Sequence, residues 1–490
     1  MERDTDSGSA TTGRTQNSCL NALIVALNET CNGTRWYTST KELQLASLEF
    51  CMTCRNYQTL HLNVDAEIPH RLLAAADAPP PLSNRLSSTR VPRLRARGAT
   101  WNIPTAERLK QLIFALTEVG YFTFGDAFHG SLEAVSWPRR LKWIRFVRSS
   151  PFNQPIERVS WPTSLEGLHF SSKFNQPIEG VKWPASLKCI WFGSRFNQPI
   201  ERVAWPTSLQ ELSFNESFNQ PIEGVSWPAA LKKLEFGQDF NQPVEQVSWP
   251  ASLKCIWFGS GFNQPIERVA WPTSLQELAF NDFFNQPIEG ISWPDALQKL
   301  EFAQDFNQPI GQVSWPASLQ KLIFWGHFNQ PIEGVSWPDS LRTLFFVRAF
   351  NQPIHKVSWP DSLQQLSFYE KFNQPIDRVS WPASLHTLSF SGEFNHPICG
   401  VSWPDSLVSL GFSDEFNQPI NRVAWPDSLR MLFFGQEFNQ PIHRVAWPES
   451  LQQLSFYGKF NQPIDLVSWP ASLHRLKFSG AFNQPVEGVS

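Results

Sequence analysis

The tetrapeptide Phe-Asn-Gln-Pro recurs every 22 residues, sixteen times from Phe152 to Pro485, with a single change to histidine at His396. A unit this short is one supersecondary element, which buries its apolar side only by stacking on its neighbours. The sequence therefore predicts a repeat solenoid, mainly β, with continuous exposed faces. Such an architecture favours recognition over catalysis.

Comparing the repeats with one another separates their scaffold from their surface. The spacing of Leu165, Leu168 and Phe170 ends in an alternation of period 2, which is typical of a strand with one buried face. Pro177 and Pro184 exclude a long helix between them, because proline lacks a backbone N–H and clashes with the preceding turn. We expect a stack of 22-residue coils with one parallel sheet and an irregular or 3₁₀ return side.

Three kinds of constant residue, Asn, Phe and Trp, are expected to be structural. The Asn after the first Phe of each repeat lies at the bend that follows the strand, where its amide can bond backbone groups left unpaired there. The Phe rings of neighbouring coils are expected to pack on one another, and the Trp of each Trp-Pro pair to cover the return side of the core. Representative structural residues are Phe174, Asn175, Phe196, Asn197 and Asn219.

The pattern Phe-Asn-x-Pro-Ile, followed by Pro-x-Ser-Leu-x-x-Leu-x-Phe, resembles the FNIP repeat family, a relative of leucine-rich repeats. The resemblance covers about residues 135–490. Gln replaces Ile at the third motif position, and Trp precedes the second Pro where many such repeats carry Leu; both are interpreted as scaffold variation. The resemblance implies a leucine-rich-repeat-like, non-enzymatic interaction module, sometimes attached to an F-box or a kinase domain.

Residues 20–27 and 42–60 look faintly like the helices of an F-box, although the usual Leu-Pro opening is missing and residues 28–40 form a long insertion between them. No kinase motif is present. The leading hypothesis is a protein-protein interaction scaffold that binds a polypeptide on the strand face of the solenoid. The alternative is a substrate-recognition adaptor of a ubiquitin ligase, with an F-box-like N-terminus.

Four segments are predicted. Residues 1–78 form an N-terminal region of uncertain fold, and residues 79–103 form a Pro/Arg-rich linker. Residues 104–151 comprise a capping helix, N-capped near Thr105 and stopped by Gly120, followed by degenerate first coils. The repeat array occupies residues 152–490. It ends in mid-repeat without a polar terminal unit, which predicts either self-association through an uncapped coil or an incomplete chain.

Composition limits the partners and the chemistry. A net charge of −3 and a pI of about 6.4 provide no basic stripe of the kind that attracts nucleic acid or a membrane surface. Seven cysteines are too sparse for a disulfide framework and favour a reducing, cytoplasmic location. The Cys51/Cys54 pair has no second pair at zinc spacing. We therefore expect no metal site, no cofactor and no catalytic residues, and hence no enzyme.

One stretch of the strand face departs from the rest. Its outward columns, elsewhere mostly Lys, Glu, Ser or Gly, carry large apolar residues on three adjacent rungs, and a weaker second cluster follows. The candidate partner-binding residues are Ile323, Trp325, Phe345, Val347 and Tyr369, with Phe433 and Tyr457 in the second cluster. A contiguous exposed apolar patch with aromatic anchors is typical of an interface. The competing interpretation is that these aromatic residues only cover one another.

Overall fold

The computed structural model describes residues 60–62, 99–101, 120–133, 135–412 and 414–486. The chain divides into two compact units, Met1–Gly193 and Ser194–Ser490. In its described part each unit is a parallel β-solenoid, in which every coil contributes one short strand. The predicted capping helix and nearly all of residues 1–78 lie outside the described residues, as does the predicted Pro/Arg-rich linker except for residues 99–101, which form a strand.

The first unit contributes six strands to the described part of the chain. Their bounds are β1 Leu60–Leu62, β2 Ala99–Trp101, β3 Tyr121–Phe124, β4 Trp143–Phe146, β5 Gly167–His169 and β6 Cys189–Trp191. Consecutive strands pair in parallel, so that Phe122 lies opposite Ile144 and Ile144 opposite Leu168. This is the arrangement expected of strands that return once per coil.

The second unit contributes thirteen strands to the described part of the chain, one in each coil. Their bounds are β7 Glu211–Ser213, β8 Lys233–Glu235, β9 Cys255–Phe258, β10 Glu277–Phe280, β11 Lys299–Phe302, β12 Lys321–Phe324, β13 Thr343–Phe346, β14 Gln365–Phe368, β15 Thr387–Phe390, β16 Ser409–Phe412, β17 Met431–Phe434, β18 Gln453–Phe456 and β19 Arg475–Phe478. Neighbouring strands are parallel and exactly one repeat apart in register, as in the pairing of Leu322 with Leu344. Equivalent side chains therefore form rows across the sheet.

Tight turns complete each coil on the return side. In the coil that begins at Phe240, three backbone hydrogen bonds of the i+3 to i type close successive turns. They join Val247 N to Val244 O at 3.3 Å, Leu253 N to Pro250 O at 3.1 Å and Phe262 N to Gly259 O at 3.3 Å. Within the described residues the return segments contain turns and no helix, so the irregular return side is confirmed and its 3₁₀ alternative is not observed.

The core is built from rows of identical side chains. Phe324 stacks on Phe302 of the preceding coil at 5.7 Å between ring centroids, and on Phe328 of the next bend at 4.1 Å. On the return side Trp315 and Trp337 stack at 6.4 Å and are 8–9% exposed. Their indole nitrogens are buried without a hydrogen-bond partner among the described residues, so these Trp side chains stabilise the stack through packing.

Side-chain amides add a second ladder beside the sheet. The Oδ1 atom of Asn307 accepts hydrogen bonds from the backbone N–H of Asn329 at 2.9 Å and from Nε2 of Gln330 at 3.1 Å. The same bond joins Asn219 N to Asn197 Oδ1 at 3.0 Å in the second unit. In the first unit it joins Asn175 N to Asn153 Oδ1 at 2.8 Å. Each coil thus fixes the position of the next at the bend that follows the strand.

The last described coil is more open than the others. Leu466 is 73% exposed and Val486 is 61% exposed, and the inward residues of β19, Leu476 and Phe478, are only half-buried. Self-association through this end stays a prediction, as does the boundary placed between residues 151 and 152.

Candidate functional site

The outward face of the sheet offers three side-chain columns per coil. In β13, Leu344 and Phe346 are fully buried in the core, whereas Thr343 and Phe345 point outward and are half-buried. Val347 follows directly after the strand and is also half-buried. A residue at one of these columns reaches solvent unless its neighbours on the adjacent strands cover it.

Four of the predicted partner-binding residues form a contiguous surface, which we call the aromatic patch: Trp325, Phe345, Val347 and Tyr369. Trp325 is 44% exposed, and the other three side chains are half-buried. They lie on the coils of β12, β13 and β14, which are consecutive in the sheet. At about 4.8 Å between strands, the patch extends across about 10 Å of the sheet.

The expected exposure of Ile323 is wrong. Its side chain points outward, but only 2% of it is exposed. It pairs in register with Phe345 on one side and with Glu301 on the other, and large side chains on both sides exclude solvent from it. Ser367, which lies between Phe345 and Ser389 in register, is 4% exposed. Ile323 therefore supports the patch from below.

Backbone hydrogen bonds hold the patch in place from coil to coil. The N–H groups of Trp325, Val347 and Tyr369 each donate to the carbonyl of the last strand residue in the preceding coil, at 2.9, 2.7 and 3.0 Å. These three residues thus belong to backbone that continues the regular hydrogen bonding of the sheet, and not to a free loop. The backbone that carries these side chains is therefore ordered before binding, which lowers the entropic cost of binding.

The turns next to the patch adopt a backbone conformation that is unusual for their residues. Arg348 follows Val347 with φ of 81°, and Glu370 follows Tyr369 with φ of 49°. The equivalent positions in later coils hold Gly392, Gly458 and Gly480, all with positive φ. A left-handed conformation costs about 1–2 kcal/mol for a residue with a Cβ. Asp414, in the same column but outside the patch, has φ of 47°, so this conformation is a feature of the column that borders the patch.

Charged groups surround the patch. The Nζ atom of Lys321 lies 5.8 Å from the ring centroid of Phe345. Arg348 Nε and Glu370 Oε1 lie 3.7 Å apart across the two strained turns. Lys371 forms an ion pair with Glu393, whose hydrogen bond raises the pKa of the lysine above its ordinary value. The border of the patch at the C-terminal ends of its strands is therefore nearly neutral, whereas the border at their N-terminal ends is cationic.

The second cluster is smaller and better covered. Phe433 and Tyr457 are both half-buried, and Lys477 Nζ lies 4.8 Å from the Tyr457 ring centroid. Ser455, opposite Phe433 in register, is completely buried, and its hydroxyl has no hydrogen-bond partner among the described residues. This cluster does not join the aromatic patch, because β15 and β16 lie between them with Ser389 and Gly411 in the middle outward column.

Sequence reasoning missed two features of the outward surface. Phe283 is 55% exposed although it lies in a column that is otherwise polar or small. The strained turns at Arg348 and Glu370 were also missed. A comparison of columns gives little sign of them, because this column holds Gly in only four coils and Ser, Gln, Asp or Glu in most of the others.

Two titratable groups are shifted by burial. Desolvation, with a smaller contribution from Arg145, lowers the pKa of His169 to about 4. Burial and the neighbouring charge of Glu277 raise the pKa of the Cys255 thiol. Within the described ranges no group of three or more His, Cys, Asp or Glu residues is placed to hold a metal ion. A search of those ranges for a helix long and apolar enough to cross a membrane finds none.

A protein-family model identifies the family of the repeats. The model described as FNIP Repeat matches residues 152–182, 174–217, 218–261, 262–305, 306–347, 350–393, 394–437 and 438–480. The chain belongs to the FNIP repeat family. No curated protein sequence matches this FNIP repeat chain.

Solved structures similar to this FNIP repeat protein have leucine-rich repeats. CroV588, described as a novel circular leucine-rich-repeat protein, is 34% identical, with 79% of this chain and 67% of that chain covered and a TM-score of 0.56. An internalin (inlF) from Listeria monocytogenes is 15% identical, covers 61% of this chain and 82% of its own, and has a TM-score of 0.37. A TLR13–ssRNA13 complex is 12% identical, with coverages of 79% and 54% and a TM-score of 0.44.

Proposed function

We propose that this FNIP repeat protein is a non-enzymatic interaction scaffold that binds a polypeptide partner on the outward face of its strands, at the aromatic patch. The observation that carries the proposal is the exposure of Trp325 beside three half-buried apolar side chains, where equivalent columns hold mostly small or polar residues. Tryptophan and tyrosine are enriched among the residues that dominate binding energy at interfaces.

Three further features support the patch as a binding surface. The backbone that carries its side chains is held by the ladder, and its border contains the left-handed turns at Arg348 and Glu370. The family and the similar leucine-rich-repeat structure fit a protein-binding role. The sparse and odd set of cysteines supports a reducing compartment, such as the cytoplasm, as the place where the scaffold works.

Affinity capture with matched variants tests this proposal. The double variant Trp325→Ser/Phe345→Ser removes two of the three aromatic side chains of the patch and leaves the inward columns intact. We expect it to lose the proteins that the unchanged chain captures, because truncating a central aromatic anchor typically costs about 2 kcal/mol or more of binding free energy. Circular dichroism should stay unchanged, since both side chains lie on the surface.

The control variant is Phe283→Ser, which removes an exposed aromatic ring that lies outside the patch. It should capture the same proteins as the unchanged chain. If the double variant captures them as well, with its fold intact, the patch is not the binding surface.

A further inference from the structure

A row of cations runs along the N-terminal ends of consecutive strands and ends at the aromatic patch. We call it the basic row. It occupies the last residue before each strand and the first strand residue in the six coils from β8 to β13. These twelve positions hold one acid, Glu277, and six basic residues: Lys232, Lys233, Lys254, Lys299, Lys321 and Arg342.

Only part of this charge is neutralised within the chain. Lys233 and Lys299 form ion pairs with the glutamates two residues further along their own strands, at 3.6 and 3.0 Å. Among the described residues, Lys254, Lys321 and Arg342 take part in no ion pair. Lys254 and Arg342 are exposed, and Lys321 is half-buried against the Phe345 ring. The row therefore keeps cations that can pair with a partner.

The basic row is continuous with the patch. Lys321 begins β12, which leads to Trp325, and Arg342 precedes β13, which carries Phe345. The backbone of both residues is held by the ladder, since Arg342 N donates to Gln320 O at 2.9 Å and Lys321 N donates to Gln298 O at 2.9 Å. A partner whose apolar side chains cover the patch would thus bring its neighbouring residues against Lys321 and Arg342.

The opposite border of the same strands is acidic. In the six coils from β8 to β13, the turns that follow the strands hold three acids, Asp239, Asp282 and Asp305, and one base, Arg348, which lies beside Glu370. The two borders are about 17 Å apart, given about 3.3 Å per residue along a strand. At physiological ionic strength, exposed charges this far apart are largely screened from one another, so the acidic border does not oppose acidic groups that pair with the basic row. The polarity of the two borders favours a partner whose acidic groups are confined to one side.

We propose that the partner of the sheet face is an acidic polypeptide segment. Its apolar side chains cover the aromatic patch, and its Asp and Glu residues pair with Lys254, Lys321 and Arg342. This inference rests on the proposed function and adds the chemistry of the ligand.

Selection from a displayed library of random peptides on the full chain tests the inference. We expect the enriched peptides to contain aromatic or aliphatic residues together with an excess of Asp and Glu. Arg342→Glu should weaken a synthetic copy of an enriched peptide about tenfold, which corresponds to ~1.4 kcal/mol. A copy with its acids replaced by Lys should bind this variant better than it binds the unchanged chain. Arg430→Glu is the matched control, because Arg430 occupies the same column four coils later, and it should change nothing.

The outcomes separate this inference from the proposed function. Enriched peptides that need Trp325 but have no excess of acids, or that are insensitive to Arg342→Glu, overturn the acidic assignment and leave the patch as the binding surface. If no peptide depends on Trp325, both the proposed function and this inference are wrong. If an oligouridylate binds as tightly as the peptides, with the same dependence on Arg342, the partner is RNA and the assignment of a polypeptide is wrong.

Discussion

At the scale of single residues, the amide column fixes the register between coils. Asn307 Oδ1 accepts from a backbone N–H and from a glutamine side chain of the next coil, at 2.9 and 3.1 Å. Both bonds form only if the coils are stacked exactly one repeat apart. The sequence indicates a structural Asn because the residue recurs at a bend. It does not reveal the Gln bond, since a Gln in place of the family's Ile looks like neutral variation.

Removal of this amide should lower the free energy of unfolding, and the loss should depend on which polar groups are left without a hydrogen-bond partner. We expect Asn307→Ala to lower the free energy of unfolding by about 1–3 kcal/mol, because the Asn329 N–H loses its acceptor. Gln330→Ala removes only a donor, and Asn307 Oδ1 keeps its bond to Asn329, so a loss of about 0.5–1 kcal/mol is expected. Urea unfolding of both variants measures the difference. Equal losses would mean that the backbone bond to the amide contributes little.

Burial of His169 should make the first unit sensitive to acid. Its pKa is about 4 in the folded chain, below the ordinary value of 6.5. The unfolded chain therefore binds more protons between these values, so stability is complete above about pH 6.5 and falls as the pH drops towards about 4.

His169→Ser tests this sensitivity, because serine occupies the same column in several other coils. Thermal unfolding at the two ends of that pH window should show a smaller acid-induced loss in the variant than in the unchanged chain. An identical loss in both proteins would assign the acid sensitivity to other groups.

At the scale of elements, strands and turns differ in how far the sequence predicts them. The strands follow from the alternation of Leu and Phe in every repeat, because only a strand with one buried face needs that period. The turns follow from the prolines. The burial of Ile323 could not be predicted from its own strand, since it is set by the side chains on β11 and β13 that lie beside it. The exposed fraction of a side chain on a sheet therefore depends on the residues beside it on the neighbouring strands.

The strained turn after β13 should be easy to stabilise. Arg348→Gly removes the left-handed penalty of about 1–2 kcal/mol and adds about 0.5–1 kcal/mol of chain entropy cost, so we expect a gain of up to about 1 kcal/mol. The converse change, Gly392→Ala, should destabilise the chain, because the added Cβ collides with the Glu370 carbonyl and φ is 77° there. Urea unfolding midpoints should move in opposite directions. A loss of stability in Arg348→Gly would show that the arginine stabilises its turn more than the strain destabilises it.

At the scale of the whole molecule, stacking of the repeats places the equivalent residues of successive coils in rows. A column that stays constant becomes a row of the core, and a column that varies becomes a surface that differs from coil to coil. This is why the fold could be predicted from the period, whereas the aromatic patch had to be located by comparing coils within the chain. The charge of the basic row was not anticipated, because net charge averages it with the acidic border of the same strands.

The central claim is that one short stretch of these rows binds the partner. A photo-cross-linking scan tests it most directly, with a photoreactive residue placed in turn at the middle outward column of each coil of the second unit, from Ser213 to Lys477. With peptides enriched from a random library, we expect cross-links at the coils of β12, β13 and β14 and at their immediate neighbours. Cross-links spread evenly over all coils, or concentrated at coils far from Trp325, would contradict the claim.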